Sequence, residues 1–127
     1  MARAISLFST STITAKGLET VMTYLGATPD EYGWVLTRDE RTVWVELGTE
    51  DIPDMPDDII DEAALELDGV PKSRVVVVFD DSKPDQMEYR MARAVGIALA
   101  ERCPIVLHNH ASEAEMLFAP GQGPRSD

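Results

Sequence analysis

Apolar residues recur along this chain with two periods, and the switches between them mark out its elements. Arg3-Ala4-Ile5-Ser6-Leu7-Phe8 reads as a strand, and the polar loop Ser9-Thr10-Ser11-Thr12 follows it. Leu18, Val21, Met22 and Leu25 then fall at i, i+3, i+4 and i+7, one face of a helix. Gly26 stands where a left-handed cap would end that helix. Over residues 31–47 the period drops to two. Tyr32, Trp34 and Leu36 alternate outward, Val43, Val45 and Leu47 alternate back, and Arg38-Asp39-Glu40-Arg41 makes the turn. A symmetric turn pairs Leu36 with Val43 and Trp34 with Val45, so these six apolar residues share the core face. Val35, Thr37, Thr42, Trp44 and Glu46 then point the other way.

Ile52-Pro53-Asp54-Met55-Pro56 links the hairpin to a second helix. Asp57 or Asp58 caps it, Ile60, Ala63, Ala64 and Leu67 face inward, and Gly69 with Pro71 ends it. Arg74-Val75-Val76-Val77-Val78-Phe79 has no polar alternation within its apolar run, the pattern of a strand covered on both faces. A third helix starts at Ser82 or Lys83, with Pro84 in its first turn, and buries Met87, Met91, Ala94, Val95, Ala98 and Leu99. Pro104 forces the exit into Ile105-Val106-Leu107-His108, and Met116-Leu117-Phe118 is a candidate edge strand. The order β-α-β-β-α-β-α-β predicts an α/β fold: one mixed sheet with packed helices over residues 1–120, then a disordered tail over 121–127. The strands at 74–79 and 105–108, joined by a helix, are expected to be parallel, and Asp80 and His108 come within reach of each other if the two are neighbours.

Composition narrows the function classes. The 127 residues suffice for one domain with its own core, and the single Cys103 allows no internal disulfide. Cys103 itself reads as a small buried apolar residue. No apolar run approaches the ~20 residues of a membrane span, and no leader segment is visible, so a cytoplasmic location is expected. A net charge of −12 argues against direct nucleic acid or anionic membrane binding and suits a basic protein partner. The charge is uneven. From Thr42 to Pro71 there is no Lys or Arg, yet this stretch holds ten acids: Glu46, Glu50, Asp51, Asp54, Asp57, Asp58, Asp61, Glu62, Glu66 and Asp68. Helix-dipole complementation accounts only for those in the first helical turn.

Two sets of candidate residues follow. The first is a partner surface of Glu50, Asp51, Asp54, Asp58, Asp61 and Glu62, with Trp44 on the outer face of the hairpin. Trp44 is an interface anchor if that face is open and a core residue if a helix covers it. The second is the carboxyl rim of the sheet, where ligands bind in open α/β sheets. Asp80 and Asp81 follow one strand, and His108 and His110 end another. Ser11 and Thr12 join them if the first strand runs parallel. An Asp–His pair there could act as general base or hold a divalent metal, although the same residues also suit turns and helix caps. No P-loop, GxGxxG, GxSxG, HExxH or CxxC motif occurs, and no cofactor is implied.

The expected function is therefore that of a small acidic, non-catalytic inhibitor that sequesters a basic protein. In size and charge the chain is similar to immunity proteins and to anti-defence proteins, although no motif carries that likeness. The alternative is a small enzyme or ligand-binding protein using Asp80 and His108. An exposed strand edge also leaves a homodimer open.

Overall fold

The computed structural model describes residues 2–31, 33–38, 41–48, 52, 57–80, 86–109 and 114–117. The chain runs β1 (Ala2–Ser9), α1 (Ala15–Tyr24), β2 (Thr28–Pro29), β3 (Trp34–Arg38), β4 (Arg41–Leu47), α2 (Asp57–Leu67), β5 (Ser73–Asp80), α3 (Gln86–Ala100), β6 (Ile105–Asn109) and β7 (Ala114–Leu117). All seven strands join one sheet in the order β2-β3-β4-β5-β1-β6-β7. The α/β class and the single helix-packed sheet are those the pattern predicts.

The hairpin register also follows the pattern, with Trp34 opposite Val45 and Leu36 opposite Val43. Leu36, Val43 and Val45 are buried, while Trp34 and Leu47 pack at the edge of the same core. Tyr32, the turn residues Asp39 and Glu40, the linker 53–56, the start expected for the third helix at 82–84, Phe118 and the tail lie outside the described residues.

The strand directions depart from the expected mixed sheet. Every described pairing is antiparallel, and β1 lies between β5 and β6. Those two strands do run in the same direction, because each is antiparallel to β1, but they are not neighbours. The chemistry of β1 suits its interior position. Ile5 and Leu7 are buried on one face, Ser6 and Phe8 on the other. Ser6 tolerates burial because Arg74 Nε donates to its Oγ at 2.9 Å.

The helices divide between the two faces. α1 and α3 cover Ile5, Leu7, Val43, Val45, Val75, Val77, Ile105 and Leu107 in the main core. α2 lies on the opposite face, where Ala63 and Leu67 meet Phe8 and Val106, with Ile59, Ile60 and Met116 at the margin. The buried stripe of α3 comprises Met91, Ala92, Val95, Gly96, Leu99 and Ala100, with Ala94 and Ala98 only half-buried. Gly96 accounts for this rotation: a Cβ there would collide with side-chain atoms of Leu117 and Leu7, so its absence lets the helix approach β1 and β7.

The helix ends show how local chemistry fixes boundaries. Thr14 Oγ1 accepts from Gly17 N at 3.0 Å and caps α1. At the other end, Gly26 has φ +84°, and bonds from Gly26 N to Thr23 O and from Ala27 N to Met22 O form a Schellman motif. α2 ends in the same way, with Gly69 N donating to Ala64 O, but its left-handed position falls on Asp68 (φ 56°) instead of Gly69. A side chain is strained there, and its negative charge opposes the helix dipole. Asp68→Gly is expected to raise stability by about 0.5–1 kcal/mol, read as a higher urea midpoint.

Candidate functional site

Of the described candidates, Trp44, Asp58, Asp61, Glu62 and His108 fall on one side of the sheet, opposite the main core. Strand register places Val35, Trp44, Val78 and Ala4 in a row across β3, β4, β5 and β1. Trp44 is 38% exposed, and Val35 and Val78 are half-buried. α2 sits over β6 and β7 and reaches β1 through Phe8, and no described helix packs on the Val35–Trp44–Val78 half of the face. Among the described residues, Trp44 therefore stands on the half of this face that α2 leaves uncovered.

The outward side of α2 is unusual for a solvated helix. Asp58, Asp61, Glu62 and Leu65 are spaced i, i+3, i+4 and i+7, so they share one face, opposite buried Ala63 and Leu67. Leu65 is 82% exposed in the middle of these carboxylates. Among the described residues, Asp57, Asp58, Asp61 and Glu66 meet no Lys or Arg. The charge pattern of the sequence points to the acids and not to Leu65. The signal was present, since Leu65 is an apolar residue that falls off the buried stripe. Glu50, Asp51 and Asp54 lie outside the described residues.

Glu62 has a second role. Its Oε2 lies 2.8 Å from Nε2 of His108, which is buried with 3% exposure. A carboxylate only accepts, so Nε2 carries the proton. The edge of the ring also meets Phe8, with centroids 6.4 Å apart and planes at 81°. Forty-six residues separate the two partners in the chain, and their contact fastens α2 to β6. Glu62→Ala removes the acceptor from a buried N–H and is expected to cost about 1 kcal/mol, since water can enter beside the half-exposed carboxylate. Glu62→Gln keeps an acceptor oxygen and should lose less, a difference that urea unfolding of the two variants resolves.

The rim expected from Asp80 and His108 does not assemble. Asp80 pairs with Ala2 of β1 and His108 with Ser6, two strand spacings across and four residues along. Their backbones are therefore roughly 16 Å apart. Ser11 and Thr12 are exposed at the other end of the sheet, because β1 is antiparallel to β5 and β6. There Ser11 N donates to Ser9 Oγ, and Ile13 N to buried Ser73 Oγ, so the loop is tied to the start of β5. Asp81 and His110 lie outside the described residues. Among the described residues no group of three His, Cys, Asp or Glu side chains could hold a metal ion. Cys103 is half-buried, with its Sγ directed at Leu99 O. No described helix is long and apolar enough to cross a membrane.

A comparison with known proteins finds no family, no curated protein and no solved structure that matches the chain. The functional reading therefore rests on the residues themselves.

Proposed function

We propose that this chain is a non-catalytic binding protein that captures a basic protein, in the manner of an immunity or anti-defence inhibitor. The observation that carries this reading is Leu65, exposed among Asp58, Asp61 and Glu62 on a helix that packs on the same face of the sheet as the partly exposed Trp44. An apolar centre with a charged rim is how protein interfaces are built, and aromatic residues supply their anchors. The surplus of carboxylates is a standing repulsion that a cationic surface would relieve. It would also speed the encounter with such a surface.

The test is capture of partners from the native host by tagged protein, washed at low and then rising salt. A stoichiometric basic protein that elutes as salt rises supports the reading. A partner that is acidic, or indifferent to salt, contradicts it.

A further inference from the structure

A second site lies on the other face of the sheet, away from Trp44 and α2. Between α1 and the β2–β3 hairpin is a recess of about 480 Å³, lined by Ala15, Glu19, Thr23, Pro29, Asp30, Gly33, Trp34 and Leu47. Its volume falls within the range of small-ligand sites. We infer that this recess binds an organic cation, a guanidinium or alkylammonium group, stacked on Trp34 and paired with Glu19 and Asp30.

Three features select that chemistry. Trp34, Leu47 and Pro29 give apolar walls, and a half-buried indole attracts a cation over its face while also favouring the cation's hydrocarbon part. Glu19 and Asp30 are the charged groups lining the recess, and among the described residues neither forms a salt bridge. An anion would be repelled by both, and a neutral ligand would leave both unanswered. A bare divalent metal suits the recess poorly. Hard cations such as Ca²⁺ and Mg²⁺ collect several oxygen ligands, and among the described residues no third acidic, Cys or His side chain joins these two.

The walls are also preorganised, which lowers the cost of binding. Leu18, Val21 and Met22 anchor α1 in the core. Across the hairpin end, Asp30 N donates to Gly33 O at 2.7 Å, and Gly33 N to Asp30 O at 3.4 Å. Gly33 in turn packs so close to the Val45 carbonyl that no Cβ would fit between them.

The test uses the full chain and two capped amino acids of nearly equal shape, N-acetylarginine amide and its uncharged counterpart N-acetylcitrulline amide. Titration followed by amide NMR should give saturable shifts at Glu19, Thr23, Gly33 and Trp34 with the arginine probe. The citrulline probe, and the arginine probe on Glu19→Gln/Asp30→Asn, should bind about tenfold more weakly. Both substituted positions are exposed, so folding is retained. Asp57→Asn/Asp58→Asn removes the same charge elsewhere and should leave the titration unchanged, which also separates this site from the proposed partner surface. Agmatine and a capped Gly-Arg-Gly peptide distinguish the source: tighter agmatine binding assigns a free small cation, and tighter peptide binding an arginine side chain. Equal binding of arginine and citrulline, equal loss in the two charge variants, or shifts that do not saturate overturn the assignment.

Discussion

Gly33→Ala should destabilise the protein by about 3 kcal/mol or more, a large share of the 5–15 kcal/mol that holds a typical domain folded. A Cβ at this position would collide with the Val45 carbonyl oxygen and crowd the Val45 carbonyl carbon and the Glu46 Cα. All three are backbone atoms, and a backbone cannot turn aside as a side chain can. The hairpin must then part next to the Trp34–Val45 pair, where the core is edged by Trp34 and Leu47. Gly96→Ala provides the comparison. Its nearest contacts would be side-chain atoms of Leu117, Leu7 and Ile105, which can shift, and alanine favours the helix, so its cost should be clearly smaller. Urea unfolding followed by tryptophan fluorescence measures both, and similar midpoints for the two variants would contradict the reading of the hairpin.

Reversing Asp58 and Asp61 to Lys should weaken binding of the proposed basic partner by about a hundredfold at low salt. The two substitutions replace two attractions with two repulsions, and about 3 kcal/mol in total is a moderate figure for like charges set against each other. The salt dependence should flatten at the same time, because fewer complementary charges remain to be screened. Both residues are exposed, so the fold should survive, with at most a small loss of helix-dipole complementation at Asp58. Glu62 is left out of this variant because its bond to His108 would confound binding with stability. Leu65→Ala should weaken binding without changing the salt slope, since it removes contact area and no charge. Calorimetric titration at two salt concentrations separates the two effects.

What could be read from the sequence was local. Alternation over 34–36 and 43–47 fixed the hairpin register and put Trp44 on the outer face, since a slip of one residue would have exposed Leu36, Val43 and Val45. The long-range pairings could not be read in this way. Nothing in Arg3–Phe8 states that it enters between β5 and β6, although Ser6 and Phe8, buried on the face opposite Ile5 and Leu7, are consistent with that interior place. The helix face of α3 was blurred because alanines at 92, 94, 98 and 100 carry little information about direction, and Gly96 decided it through contacts with distant strands. The Glu62–His108 bond was hidden for the same reason: each residue was a candidate on its own, in a different site, and only the packing of α2 onto β6 joins them. The recess beside Trp34 needs α1 and the hairpin to be placed in space before its two carboxylates become neighbours of an indole.

Whether a basic partner is held by the α2 side of the sheet is decided by amide hydrogen exchange of the protein with and without its captured partner. Exchange should slow along Asp57–Leu67 and across Arg41–Leu47, with α1 and α3 unchanged. Protection confined to α1 and α3, with α2 exchanging as in the free protein, would contradict it.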